Sequence, residues 1–204
     1  MEVSVDLPRG LEGEKAQRII EAMRRSVGRR GAAASTFDQV AREAGVSRGL
    51  LHYYFGSKER LLVEVCRHDC EARIEAMEEG LAEADSADAI IASLRHGLEE
   101  FVEHETDSQA VIYELLSASR HSEEIRAEMA ELYRRWRAHL ADALRLKERQ
   151  GVVSLQADAE SVAAVLFALG DGLGIQMVSD PGWDSGPSFE LGVRMARGLL
   201  GAGG

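Results

Sequence analysis

Apolar residues recur at intervals of three and four along almost the whole chain, and this spacing strongly constrains its fold. The stretch 125–144 shows it best, with a stripe formed by Ile125, Met129, Leu132, Tyr133, Trp136, Leu140, Ala143 and Leu144. Positions three and four apart share one face of an α-helix. Only three of the 204 residues are proline, and valine, isoleucine and threonine form no alternating runs. The sequence therefore predicts an all-α fold.

Glycines, prolines and capping residues divide this pattern into separate predicted helices. The predicted helices cover about residues 14–28, 37–43, 47–53, 58–83, 86–104, 108–117, 123–150, 157–179 and 188–200. The first 13 residues, which contain Pro8, Gly10 and Gly13, are predicted to form a flexible N-terminal arm.

Charge is distributed unevenly along the chain. The formal net charge is −11, yet residues 14–65 carry 10 Lys or Arg against 6 Asp or Glu, a net charge of +4. Residues 66–204 carry 13 basic against 26 acidic residues, a net charge of −13. This asymmetry indicates a small module that meets an anion, attached to an acidic body that avoids one.

Cysteine usage and hydropathy indicate the compartment. Cys66 and Cys70 are four apart in a predicted helix, where helical geometry disfavours a disulfide between them. Reduced thiols are typical of a cytoplasmic protein. No apolar run approaches the roughly 18 residues of a membrane span, and no signal-peptide pattern precedes the first helix. We therefore expect a cytoplasmic protein with no membrane partner.

The segment AREAGVSRGLLHYYFGSKERLL, residues 41–62, combines two short helices with a tight turn. Gly45 can adopt the positive φ that the turn demands. Thr36 and Ser47 are plausible N-caps of the two helices. The core of the pair is predicted to consist of Val40, Val46 and Leu51. This spacing is typical of a helix-turn-helix.

In such a unit the first residues of the second helix contact base edges in the major groove. Those residues here are Ser47, Arg48, Gly49 and Leu50. Arg48 could bond bidentately to a guanine, and Leu50 could contact a thymine methyl group. Gly49 would allow a close backbone approach to DNA, although weak constraint at that position explains it equally well.

The polar-tipped residues that follow suit phosphate contacts. Candidates for DNA contact are Thr36, His52, Tyr53, Tyr54 and Lys58, in addition to the residues of the second helix. Lys58 lies near the start of a helix, where backbone N–H groups favour an anion. We expect Tyr54 and Phe55 to be mainly core and His52 and Tyr53 to be mainly DNA contacts.

These residues resemble the TetR family of bacterial transcriptional regulators. The matching stretch is about residues 15–62, and its most specific part is TFDQVAREAGVSRGLLHYYFGSKERLL. The family usually has tyrosine where this chain has His52, and here Tyr53 supplies the phenol one position later. Which of the two makes the main phosphate contact is open. A looser resemblance over residues 117–181, through ELYRRWRAHLADAL and ALGDGLGIQMVSDP, is to one C-terminal subgroup of the family.

The resemblance implies a three-helix DNA-binding domain at residues 14–60 and a helical effector-binding and dimerisation domain at residues 61–204. It implies a homodimer that binds a double-stranded DNA operator and is released by an unknown small-molecule effector. Repression is the expected outcome, although activation would use the same contacts. The alternative is an architectural or regulatory DNA-binding protein without an effector.

The predicted helix 157–179 is apolar nearly all round, which favours burial against a second copy. Small residues on one of its faces would let another helix come close. The predicted dimer interface consists of Ala163, Phe167, Gly170, Asp171, Gly174 and Met177. Its GDGLG segment lacks the third glycine of a dinucleotide fingerprint and follows no strand, so we expect no cofactor.

The resemblance also implies an effector site among the middle helices. Its candidates are Phe101, His104, Tyr113, Glu114, Tyr133, Trp136, Phe167 and Met177, most of which we expect to be core. A buried Glu114 would favour a cationic or hydrogen-bonding ligand. If Glu114 faces water, that idea loses its support.

The residues do not support two other classes of function. Cys66, His68 and Cys70 would serve a redox or metal sensor, but His68 points away from the shared face of the cysteines, so no metal site is expected. The chain has no His-Glu-x-x-His, nucleophile elbow or phosphate loop, so it is not expected to be an enzyme and has no catalytic candidates.

Overall fold

The computed structural model describes residues 13–202, and within that range the secondary structure is helical with no strand. The helices are α1 (Glu14–Ala34), α2 (Phe37–Ala44), α3 (Arg48–Phe55), α4 (Lys58–Glu83), α5 (Ala87–Glu103), α6 (Thr106–Ala118), α7 (Glu123–Arg149), α8 (Ala159–Ser179) and α9 (Gly186–Leu199). The all-α prediction is confirmed. The predicted flexible arm, residues 1–13, lies outside the described residues except for Gly13.

The first helix is longer than its sequence pattern indicated. The predicted helix ended at about residue 28, but α1 continues to Ala34. Gly31 has φ 76° and ψ 161°, so the helix is interrupted there and resumes for a short final turn. A glycine tolerates this positive φ at little cost, so the interruption at Gly31 is not strained.

The chain divides into two compact units, which differ from the expected division at residue 60. Within the described residues, the first unit comprises residues 13–69 together with Thr106–Met129. The second unit comprises Cys70–Glu105 and residues 130–202. The helix-turn-helix therefore shares its unit with α6 and the beginning of α7, which the sequence pattern did not indicate.

In the first unit, α1 packs against both α2 and α6, and α2 packs against α3. Its core is apolar and includes Ile19, Met23, Val27, Val40, Leu51, Phe55, Leu61, Val65, Val111 and Leu115. The approach of α1 to α6 is close at Gly28, where an added Cβ would lie 2.9 Å from the Cα of Asp107. Glycine at this position therefore allows the two helices to meet.

A buried polar network also links three helices of the first unit. The carboxylate of Asp69, on α4, is 7% exposed and is ion-paired with Arg24 of α1. It also accepts a hydrogen bond of 2.7 Å from the Ser108 hydroxyl of α6. Buried charges require such pairing, because an isolated carboxylate loses its hydration without compensation. The network thus fixes the arrangement of α1, α4 and α6.

The second unit has a separate hydrophobic core, formed by the end of α4 and by α5, α7, α8 and α9. Its buried members include Leu81, Ile90, Leu140, Leu144, Val162, Ala163, Ala196 and Leu200. The buried ammonium of Lys147 donates to the carbonyl oxygens of Ala82 and Ala84, at 2.9 and 2.6 Å. Lys147 therefore satisfies carbonyl groups at the C-terminal end of α4.

Helix α8 passes the length and composition test for a membrane-crossing helix. It has 21 residues, and its most apolar window of 18 residues has a mean hydropathy of 1.6. The expectation that no apolar run approaches a membrane span was therefore wrong by these two criteria. A single helix of this kind is weak evidence of a span, since an interface or core helix meets the same criteria.

Candidate nucleic-acid interface and aromatic site

The turn of the helix-turn-helix is made by Gly45, the C-cap of α2. Its φ of 67° and ψ of 37° lie in the left-handed region, which glycine adopts without a Cβ clash. The N–H groups of Gly45 and Val46 donate to the carbonyl oxygens of Arg42 and Ala41, at 3.3 and 2.9 Å. These bonds close the end of α2 and direct the chain into α3.

Each helix of the pair begins at a side-chain cap. Thr36 and Gln39 form a capping box at the start of α2, in which each side chain accepts a hydrogen bond from the backbone of the other residue. The Ser47 hydroxyl oxygen accepts a hydrogen bond of 3.3 Å from the Leu50 N–H at the start of α3. Both hydroxyl groups are therefore engaged in capping, and both residues are exposed.

The first turn of α3 presents Arg48 and Gly49 to solvent, with Leu50 half-buried. The guanidinium of Arg48 lies 3.2 Å from the Asp38 carboxylate of α2, and both side chains are exposed. No neighbouring atom lies within 3.4 Å of the position that a Cβ on Gly49 would take. Packing within the described residues thus does not require glycine at position 49.

His52 and Tyr53, the two candidates for the main phosphate contact, differ in their partners. Arg48 Nε donates to His52 Nε2 at 3.4 Å, and His52 Nδ1 lies 3.3 Å from the Gly56 carbonyl oxygen. The His52 ring also packs edge-on against Phe37, with centroids 4.8 Å apart. Tyr53 is 75% exposed. Its phenol is therefore the more accessible of the two polar groups.

The remaining aromatic residues of α3 and Lys58 point toward the protein. Phe55 is buried and Tyr54 is half-buried. The Lys58 ammonium donates a hydrogen bond of 2.9 Å to the carbonyl oxygen of Ala32, near the end of α1. The charge of Lys58 therefore satisfies a carbonyl group near a helix C-terminus.

Four of the aromatic effector candidates meet in the second unit, and we call them the aromatic cluster: Phe101, Tyr133, Trp136 and Phe167. The rings of Trp136 and Phe167 are stacked with centroids 6.0 Å apart. Tyr133 meets Trp136 edge-on at 5.7 Å. These are favourable geometries for aromatic pairs. Helices α5, α7 and α8 each contribute at least one ring.

Two charged residues adjoin the aromatic cluster. The guanidinium carbon of Arg73 lies 4.6 Å from the ring centroid of Phe101 and 5.2 Å from that of Trp136. Burial raises the pKa of the Asp171 carboxyl, while a hydrogen bond from Tyr133 and the charge of Arg73 oppose that rise. The cluster therefore combines aromatic faces with a half-buried carboxyl group, as a site for an organic cation requires.

The other effector candidates lie elsewhere. Tyr113 and Glu114 belong to the first unit, and Glu114 is exposed, so Glu114 gives no support for a cationic or hydrogen-bonding effector. His104 is exposed and lies 3.5 Å from Glu100. Met177 is half-buried on α8. The physical reason is that α6 packs on α1, so residues 113 and 114 belong to the first unit, whereas the aromatic cluster belongs to the second.

Several residues of the predicted dimer face have contacts within their own chain. Ala163 is fully buried in its own unit, Phe167 stacks on Trp136, and Asp171 adjoins Tyr133. A Cβ on Gly174 would lie 3.3 Å from Leu98 of α5, and one on Gly170 would lie 4.0 Å from it. The small residues therefore admit α5 of the same chain, and together with Met177 they do not form the outward face.

The outward face of α8 and α9 is instead lined by a different set of apolar residues. We call it the apolar face, and its large members are Val165, Ile175, Val178, Leu191 and Met195, each between 39% and 51% exposed. Residues 165, 168, 172 and 175 follow helical spacing, so they form one stripe. The sequence showed that α8 is apolar all round but did not show which stripe faces outward.

Sequence reasoning missed Arg73 and favoured the dimer interface over a ligand contact for Asp171. A signal for Arg73 was present. It lies three residues after Cys70 and four before Met77, on the same helical stripe, so a charged residue interrupts an otherwise apolar face of α4. Cys66 and Cys70 are themselves buried and form no disulfide, and residues 13–202 contain no metal-binding group of His, Cys, Asp or Glu.

Comparisons with known proteins match two regions of the chain. Residues 19–65 match the bacterial regulatory proteins of the TetR family, and residues 90–200 match the C-terminal domain of BetI-type transcriptional repressors. The HTH-type transcriptional regulator BetI of Rhizobium meliloti (strain 1021) is 31% identical over 170 residues, which cover 82% of this chain and 79% of the relative. These relatives are transcriptional regulators and not enzymes.

Two solved structures extend the comparison. A transcriptional regulator from Saccharomonospora viridis in complex with choline has a TM-score of 0.70 and 27% identity, covering 90% of this chain and 94% of that one. A TetR-family regulator from Rhodococcus sp. has a TM-score of 0.75 and 22% identity, covering 91% and 98%. This chain belongs to the TetR family of DNA-binding transcriptional regulators and carries the C-terminal domain of BetI-type repressors.

Proposed function

We propose that the protein binds a double-stranded DNA operator as a cytoplasmic homodimer and is released from it by a quaternary ammonium effector of the choline class. The observation that carries the effector class is the aromatic cluster with the Asp171 carboxyl beside it, in a domain of the BetI type. Aromatic faces bind quaternary ammonium groups through cation–π attraction. The choline complex of the Saccharomonospora viridis regulator supports the same class.

For the DNA contact, α3 acts as the recognition helix. Ser47, Arg48, Gly49 and Leu50 meet base edges, and Arg48 exchanges Asp38 for a guanine. The exposed Tyr53 phenol makes the main phosphate contact, because the ring nitrogens of His52 already have partners in the protein. Thr36, Tyr54 and Lys58 support the interface by holding the helices that flank α3.

The homodimer forms through the apolar face of α8 and α9. Five large apolar side chains exposed on adjacent helices form a patch that a second copy would remove from water. A second copy is a better occupant than lipid, since a dimer also gives two recognition helices the two-fold symmetry of a palindromic operator. We expect Ile175→Glu with Leu191→Glu to yield monomers in sedimentation velocity, while Leu146→Glu, at an exposed leucine of α7, leaves the dimer intact.

Release requires only that the effector binds better to the dimer conformation that fits DNA poorly. A tenfold loss of operator affinity corresponds to about 1.4 kcal/mol of coupling. Helix α4 contributes residues to both units, so it is the connection through which the two sites bias one another. An architectural DNA-binding protein without an effector would show no such coupling.

Fluorescence anisotropy with a duplex selected from a random library tests this proposal. We expect a Kd in the nanomolar range that rises steeply with salt, because phosphate contacts release counterions. Choline chloride should release the duplex at concentrations where sodium chloride of equal ionic strength does not. Equal effects of the two salts would overturn the choline-class effector.

A pair of variants tests the DNA contacts. Arg48→Ala should weaken binding by about tenfold or more, because a bidentate contact with a guanine contributes about 1–3 kcal/mol. Arg134→Ala removes the same charge from an exposed position on α7 and should leave affinity within about twofold. Similar losses in both variants would show a general charge effect and not base recognition.

A further inference from the structure

The cation position of the aromatic cluster is already occupied by a side chain of the protein. Arg73 is only 18% exposed, and its guanidinium contacts the rings of Phe101 and Trp136. Trp136 also stacks with Phe167. An effector cation that uses the faces of Trp136 and Phe101 would therefore meet the guanidinium of Arg73.

The polar bonding of Arg73 is weak for a residue at this depth. Its Nη1 lies 3.6 Å from the Glu105 carboxylate, and its Nη2 lies 3.9 Å from the sulfur of Cys70. Its Nε is buried and has no hydrogen-bond partner among the described residues. A buried donor without a partner raises the free energy of the conformation that contains it. Moving the Arg73 side chain toward water therefore costs less than moving a fully bonded arginine.

We infer that Arg73 is an internal competitor for the effector, whose guanidinium occupies the quaternary ammonium position until the ligand displaces it. This inference rests on the proposed effector class and adds a residue that sets the effector concentration needed for release. The chemistry is an exchange of one organic cation for another over the same rings, with Asp171 attracting both.

A direct alternative predicts the opposite change in effector affinity when Arg73 is substituted. The unpartnered Nε of Arg73 could donate a hydrogen bond to an anionic or carbonyl group of the effector. In that case Arg73 would be a ligand contact, and its removal would weaken binding. The sign of the change in affinity on substitution of Arg73 therefore decides between competition and contact.

Isothermal titration calorimetry of choline binding to the wild-type protein and to the Arg73→Met variant measures the direction of this change in affinity. Methionine keeps an unbranched apolar stem but removes the charge. We expect about tenfold tighter choline binding by Arg73→Met, the size of a partly buried cation–π interaction. Arg73→Lys retains a cation and should stay within about threefold of wild type.

A neutral probe distinguishes the effect of removing the Arg73 charge from the effect of removing the volume of its side chain. The uncharged isostere 3,3-dimethyl-1-butanol has the shape of choline but no positive charge, so removing Arg73 should improve its binding much less. An equal gain for both probes would mean that methionine only opens room, and would overturn electrostatic competition. Should Arg73→Met not fold, as judged by thermal melting, Arg73→Gln is measured in its place.

The outcomes also separate this inference from the proposed function. Unchanged or weaker choline binding by Arg73→Met, with measurable binding by wild type, would overturn the role of Arg73 alone. Choline binding by neither protein would overturn the effector class and the competitor with it. Choline binding by Arg73→Met with little or none by wild type would support both.

Discussion

The two units treat their buried charges differently. In the first unit, the Asp69 carboxylate is paired with Arg24 and bonded to Ser108, so each charge has partners from other helices. In the second unit, burial raises the pKa of Asp171, and Arg73 keeps an Nε without a partner. Fully bonded networks favour one arrangement of helices, whereas incompletely bonded groups are available to a ligand. We infer from this contrast that the helices of the first unit are held in one arrangement, whereas the second unit can respond to a ligand.

Substitution of the two buried carboxyl groups gives the largest expected difference. Asp69→Asn removes the negative charge that Arg24 faces, and breaking a buried pair in this way costs about 3 kcal/mol of unfolding free energy. Urea denaturation measures the loss. A loss below about 1 kcal/mol would show that solvent reaches the pair and that the first unit is less rigidly bonded than we infer.

Asp171→Asn is the matched change in the second unit. Burial disfavours the charged form of Asp171, and an asparagine can still accept the hydrogen bond from Tyr133. We therefore expect a change in unfolding free energy within about 1 kcal/mol of zero. A loss as large as that for Asp69→Asn would remove the contrast between the units.

Two helical glycines, one in each unit, allow the packing of the two units to be compared. An added Cβ at Gly28 would press on the backbone of Asp107, so Gly28→Ala should destabilise the first unit by about 2 kcal/mol. At Gly97 of α5 an added Cβ meets nothing within 4 Å, and alanine should stabilise the helix by up to about 1 kcal/mol. Thermal melting of both variants measures the two opposite signs.

Sequence reasoning predicted the helices well because it rests on local chemistry. The caps Thr36 and Ser47 and the positive φ of Gly45 follow from residues a few positions apart. Those signals are sufficient for the helix-turn-helix, whose two helices are adjacent in sequence. The order and approximate bounds of the helices follow from the same signals.

The sites of the second unit depend on contacts between distant segments, and there the sequence was insufficient. Gly174 was predicted to admit a partner helix, but it admits Leu98 of the same chain. Glu114 was grouped with rings that belong to another unit, because periodicity does not show which helix packs on which. The guanidinium of Arg73 meets rings 28 and 63 positions away in sequence, at Phe101 and Trp136, and no local pattern contains that information.

The next largest expected effect is the pH dependence of effector binding in the second unit. Since the folded pKa of Asp171 lies above its ordinary value near 3.8, the carboxyl becomes neutral as pH falls through that raised pKa. Choline then loses an attractive charge, so its affinity should fall as pH decreases through that raised pKa. Titration calorimetry measures the profile, and Asp171→Asn should flatten it.

The raised pKa of Asp171 also determines whether stability rises or falls with pH. Between the unfolded and the folded pKa of Asp171 the folded state binds more protons than the unfolded state, so this group lowers stability as pH rises through that window. Asp171→Asn removes this pH-dependent contribution to stability. The stability of the variant relative to wild type should therefore increase with pH. A decrease with pH would mean that Asp171 is stabilised as a carboxylate.

The smallest expected effect concerns the exposed pair of Arg48 and Asp38 in the first unit, which contrasts with the buried pair in the same unit. Both side chains are exposed at a distance of 3.2 Å, so Asp38→Asn should change stability by less than about 0.5 kcal/mol. It should nevertheless tighten operator binding about two- to threefold at low salt, because Arg48 is no longer shared and a negative charge leaves the DNA-facing surface. Asp142→Asn, an exposed carboxylate paired with Arg145 in the second unit, makes the same change in net charge. If both variants tighten binding equally, the gain comes from net charge, and the pair with Asp38 does not restrain Arg48.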